Sequence, residues 1–208
     1  MKYIILILSF TSLSSFSQTN FYLGGSASYL LNGKIQFKEG LVDVGDKLGA
    51  DASFGFITDN NFGFELNYSG AYNCDLEFRS YSFTGHEDFF TSVDIHSISV
   101  NYLQYFENDT PFTPFISVGT GTSVFNIKKD DVDDAVRFAL NFGGGTTIEI
   151  NRFISARIRA RYFAPLIFKG SGIHAGISTG GTYLGLSIDA SAPLAQLNLD
   201  AGFIFKLN

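Results

Sequence analysis

The sequence predicts an all-β chain, an eight-stranded antiparallel up-and-down transmembrane β-barrel. Three observations predict it. Apolar and polar residues alternate with a period of two through eight segments, with no convincing helical stripe anywhere. The links between those segments are short and long in turn, and the polar face of the alternation is mostly Gly, Ser and Asn. Composition agrees: only 16% of the 208 residues are charged, where a soluble domain carries roughly 25%. A net charge of -6 disfavours nucleic acid, which calls for a basic patch. Cys74 is the one cysteine, so it forms no internal disulfide and reads as a spectator thiol.

The first element is an export signal over residues 1–17. Lys2 gives the positive start, YIILILSF the apolar run, and Ser15 and Ser17 the small residues before the cleavage point. That run is too short to span a bilayer as a helix, which takes about 20 residues. The mature domain is then 18–208. Its strands follow in order: 21–30, 50–58, 62–72, 97–106, 114–125, 137–150, 153–163 and 197–207. In 62–72, for example, Phe62, Phe64, Leu66, Tyr68 and Tyr72 oppose Gly63, Glu65, Asn67 and Ser69.

Short links fall at 59–61, 107–111 and 151–152, and long polar segments at about 31–49, 74–92, 127–136 and 166–193. All four prolines, Pro111, Pro114, Pro165 and Pro193, sit at or near strand ends, where a missing N–H does least harm. The segment TYLGLSIDA (182–190) reads as a hairpin within the last long loop, with ten barrel strands as the other count.

Alternation alone leaves the inward face open, because a soluble barrel with an apolar interior also alternates. The residue types on each face decide. Small polar residues such as Ser26, Ser53, Asn67, Ser99, Asn101, Asn141 and Gly143 suit a narrow lumen, while the opposite face is Phe, Tyr, Leu, Ile and Val with no mid-strand charge. One charge on a lipid-facing midplane costs roughly 2–4 kcal/mol. By the same parity the arginines of FISARIRARYF, Arg157, Arg159 and Arg161, face the lumen with Arg137 and Lys206, and so do Asp51, Glu65, Glu149 and Asp200. The expectation is a ladder of ion pairs, with Glu149 and Asp200, on the flanking strands, nearest the arginines. Its structural reading is a plug; its functional reading is an anion-selective constriction.

FYLGGSASY, SISVNYLQYF with PFISVGTG, FGGGTTIEI and the ARYF end of the arginine strand resemble the small outer-membrane barrels grouped with OmpA, OmpX, OmpW and the opacity proteins. The likeness is greatest to the "outer membrane protein beta-barrel domain" or porin-family type of Bacteroidota and covers the mature chain. Asp200, Gly202, Phe205 and Leu207 resemble the last-strand assembly signal of such proteins, although Asn208 rather than an aromatic ends the chain. The resemblance implies the outer membrane of a Gram-negative bacterium. It also implies delivery by periplasmic chaperones to the barrel-insertion machinery, contact with outer-membrane lipid, and no cofactor. No peptidoglycan-binding domain follows the barrel.

Fold does not settle function, and three activities compete. The first is a non-enzymatic barrel serving envelope structure, or a surface ligand through its long loops, with the aromatic-rich 76–92 as the recognition segment. Asp130, Asp131, Asp133 and Asp134 read as a solvated loop, since the spacing and glycine of a calcium loop are missing. The second is a narrow or gated channel for a small solute or an apolar molecule, limited by an interior just wide enough for its own side chains. The third is a lipid A-modifying enzyme, for which His86, His96 and His174 are the candidates. Asp94 and His96 share a strand face, but Ile98 stands where a His-x-Ser spacing needs serine. No catalytic, cofactor or metal residue is therefore assigned.

Overall fold

The computed structural model describes residues 19–36, 40–80, 89–128, 134–165, 167–178, 181–191 and 196–207. The predicted leader, His86, Pro193, the tip Asp130, Asp131 and Asp133, and Asn208 lie outside them. The described residues form β1 (Thr19–Leu30), β2 (Gly33–Gln36), β3 (Gly40–Val44), β4 (Lys47–Thr58), β5 (Phe62–Ser80), β6 (Phe89–Tyr105), β7 (Phe112–Ile127), β8 (Ala135–Glu149), β9 (Ile154–Pro165), β10 (Ile167–Ser178), β11 (Gly181–Ser191) and β12 (Gln196–Leu207).

Eight of these strands close a barrel in which every pairing is antiparallel. Around the wall run β1, β4, β5, β6, β7, β8, β9 and β12, and β12 returns to β1 with Phe21 opposite Leu207. Closure removes the free edges that an open sheet would expose. The other four strands are additions to the long connections. β3 pairs with the outer part of β5, with β2 beside it, and β10 pairs with β11 outside the barrel. TYLGLSIDA is thus part of a loop hairpin, and the barrel has eight strands. Asp46 ties down the return from the β2–β3 hairpin by accepting from the Tyr29 hydroxyl at 2.8 Å and the Asn32 N–H at 3.1 Å.

The strands of the β5–β6 hairpin run well past the limits that simple alternation sets. Their pairing shifts between Ala71 and Cys74, and Asn73 adopts φ 52°, the left-handed region that Asn tolerates better than most residues. The extra residue exchanges the faces: Glu65, Asn67 and Ala71 are buried below the bulge, Cys74 and Leu76 above it. A period-two reading cannot continue through such a point.

The lumen is filled in layers. At the end of the short turns, Leu103, Tyr105 and Phe115 form a buried cluster with Ile57 packed against it. Above lie buried charged and polar side chains. Toward the long-loop end, Leu30, Val44, Ala71, Cys74, Leu76, Val93 and Ile95 make a second apolar cluster, with Phe125 and Ile127 against it. Outside, the wall exposes Phe, Tyr, Leu, Ile and Val. Near the short turns these rings join in a belt: Phe21 stacks on Phe54 and meets Phe56, Phe56 meets Phe64, and Phe64 meets Tyr102 edge-on. The outer face is apolar while the inner face is apolar at two levels and polar or charge-paired between them, which suits a sheet with lipid outside.

Candidate functional site

The arginine strand β9 points Arg157, Arg159 and Arg161 into the lumen, where each is at most 3% exposed. Their partners stand on β4, β5 and β12. Glu65, fully buried, takes Arg157 at 2.5 Å on one oxygen and Arg159 at 2.6 Å on the other, and the Tyr22 hydroxyl donates to it at 2.9 Å. Asp200 accepts from Arg159 Nε at 2.9 Å and from Arg161 at 3.2 Å. Arg161 also reaches Asp51 at 2.8 Å, donates to Asn67 Oδ1, and sits 5.1 Å from the centre of the Phe163 ring. Arg157 Nη2 donates to Ser53 at 3.0 Å. Three cations and three anions make one neutral network across the barrel.

Glycines of β8 stand opposite two of these arginines. Gly143 pairs with Arg161 and Gly145 with Arg159 on the neighbouring strand. A Cβ on Gly143 would stand 3.0 Å from Arg161 Cγ, and one on Gly145 would stand 2.9 Å from Arg159 Cα. The nearest atoms to such a Cβ are the backbone carbonyl oxygens of Ala160, at 2.3 Å from Gly143, and of Ile158, at 2.2 Å from Gly145, so these two glycines answer the close approach of β8 to β9 at the arginine positions. Burial makes every omitted bond expensive; among the described residues, Arg159 Nη2 and Asp51 Oδ2 are buried without a protein partner.

Of the nine charged residues that parity assigns to the lumen, six meet in this network and three stand elsewhere. Arg137, near the start of β8, is exposed and donates to the Val136 carbonyl at 2.9 Å. Glu149 pairs with Lys206 at 3.1 Å, not with an arginine, at the short-turn end where both side chains reach solvent. Parity reports the face of a strand but not the depth along it, so charges at the two mouths look the same as charges at the centre. Asn67, Ser53 and Tyr22 were not singled out as network members, although they share the inward parity. On β12, Asp200 points inward while Phe205 and Leu207 face out. Gly202 is pressed against β1, where a Cβ would stand 2.1 Å from the Gly25 carbonyl oxygen. His96 lies on the outer wall beside Tyr68, its Nδ1 2.8 Å from the tyrosine hydroxyl, and among the described residues no serine bonds to it.

The sequence matches the family described as "Outer membrane protein beta-barrel domain" over residues 3–193. The chain belongs to that family. Solved structures similar to this outer-membrane barrel include Neisserial surface protein A, at 14% identity and a TM-score of 0.55, covering 92% of this chain and 100% of that one. The outer membrane protein OprG of Pseudomonas aeruginosa is similar at 12% identity and a TM-score of 0.58, covering 91% and 96%. Outer Membrane Protein W of E. coli is similar at 14% identity and a TM-score of 0.52, covering 90% and 97%. At such identities the likeness is one of fold. No curated protein matches the sequence. In outer-membrane barrels short turns face the periplasm and long loops the exterior.

Proposed function

We propose that the protein is a non-enzymatic, non-conducting barrel that stiffens the outer membrane and presents its long extracellular connections as an interaction surface. The observation that carries this reading is the six-residue ion network, whose members are all buried and which joins β9 to β4, β5 and β12 across the interior. An eight-stranded barrel has no width to spare beyond its side chains, and the apolar cluster around Val44 and Cys74 lies in series with the network. Export by removal of residues 1–17 belongs to the same reading, and so does delivery by periplasmic chaperones. The stretch of Asp200, Gly202, Phe205 and Leu207 is its contact for the insertion machinery, supported by the outward aspect of Phe205 and Leu207 on the closing strand.

The test is ion conductance of residues 18–208, refolded and inserted in a planar bilayer, beside Arg159→Ala. The expected result is a silent wild type and a silent, less stable variant. Steady channels in the wild type that widen in Arg159→Ala would make the network a gate and the barrel a pore.

A further inference from the structure

On the outer wall, the apolar column of β5 and β6 ends in a polar cluster at the long-loop end. Up β6 the outward positions are Tyr102, Val100 and Ile98, then His96 and Asp94. Tyr68 of β5 stacks on His96 with ring centres 6.1 Å apart, and Tyr72 meets the same ring edge-on at 5.1 Å. The two tyrosine hydroxyls are 3.4 Å apart. Beside them Asn73 donates its backbone N–H to Asp94 Oδ1 at 2.7 Å. Lys128, just beyond β7, reaches Asp94 at 3.1 Å and Asn73 Oδ1 at 2.5 Å.

Depth identifies the surroundings. From Phe62 to Tyr72 is roughly ten steps of about 3.3 Å, and a strand tilted by about 40° then rises about 25 Å, the height of the apolar band of such barrels. The cluster therefore stands where hydrocarbon gives way to headgroups, the level at which tyrosine anchors a membrane protein.

We propose that this cluster binds the phosphate-bearing headgroup of a lipid in the outer leaflet, an inference that takes from the functional reading only the outer-membrane placement. The donors fit. The Lys128 ammonium has three N–H groups, two of them directed to Asn73 and Asp94, and its side chain is 45% exposed. The Tyr68 hydroxyl and His96 Nδ1 share a hydrogen bond at 2.8 Å, and His96 Nε2 has no protein partner among the described residues; in the tautomer with its proton on Nε2 the ring offers a further donor. The Tyr72 hydroxyl lies on the same patch, on a half-exposed side chain. Asp94 does not oppose an incoming phosphate, because its charge is compensated inside the cluster by the Asn73 N–H and by Lys128. It holds the lysine in place. Charge-assisted bonds to phosphate are about twice as strong as neutral ones, so phosphate gains most from this patch.

The experiment places residues 18–208 in phosphatidylcholine nanodiscs doped with a doubly phosphorylated lipid A, or with the same lipid stripped of phosphate, and counts lipid retained on the protein by native mass spectrometry. The phosphorylated lipid is expected to be retained roughly tenfold better. Lys128→Ala should remove that preference and Lys128→Arg keep it; Tyr72→Phe provides a second, milder variant should the first fold poorly. Equal retention of the two lipids, or an unchanged preference in both Lys128→Ala and Tyr72→Phe, overturns the proposal. Displacement of the lipid by excess inorganic phosphate also overturns it, since the site would then be one for a free anion. None of these readouts depends on whether the barrel conducts.

Discussion

Glu65 holds two guanidinium groups at once, one on each carboxylate oxygen. Glu65→Gln would leave Arg157 with no ionised partner among the described residues and Arg159 with Asp200 alone, and breaking a buried pair in this way costs roughly 3–5 kcal/mol. Glu149→Gln removes an exposed pair with Lys206 and should cost less than about 1 kcal/mol. Urea unfolding followed by gel mobility, which separates closed from open barrels, compares the two; equal losses would contradict the central role of the network. The inward face of these residues was legible from the alternation in FISARIRARYF. Their pairing was not, because Glu65 lies 92 residues from Arg157 and 94 from Arg159 in the chain. Nor was their depth, which separates Arg159 from Arg137, Glu149 and Lys206 although all share one parity.

At the level of elements, β8 and β9 fit because one strand is bare where the other carries its longest side chains. Gly143→Val should force Arg161 away from Asp51 and Asp200 and loosen the β8–β9 ladder. The expected reading is faster amide exchange along Gly143–Thr147 and Arg157–Arg161 with β4–β5 unchanged; a variant with native exchange would show that the arginine has room to spare. Strand existence was legible wherever period two held, as in β1, β4 and β9. It failed at Asn73, where one bulged residue inverts the faces and carries β5 and β6 beyond the apolar band. The β2–β3 hairpin escaped for another reason. Its strands are only 4 and 5 residues long, and it is held partly from outside, by β5 and by Asp46.

For the whole molecule, the order of layers decides what reaches the interior. Cys74 is buried in the apolar cluster at the long-loop end, and burial pushes its thiol up to about 11. Below that pH the thiol stays protonated, and only a deprotonated sulfur attacks. Folded protein at pH 8 should therefore resist maleimide and react once unfolded; rapid labelling of the folded barrel would mean that the long-loop end opens. Closed architecture was legible from the sequence because alternating short and long links and two kinds of face leave few other arrangements. The closing seam is where Phe21 of β1 meets Leu207 of β12, and Asp200, which bridges two arginines, rides on that last strand. Before β12 docks, the interior therefore holds Arg157, Arg159 and Arg161 with only Asp51 and Glu65 to answer them. Neutrality of the interior arrives in the same event as closure. Contacts so distant along the chain form slowly, so the interval before the final strand docks is when the barrel is most exposed to trapping. A truncation inside β12 would prolong it without limit.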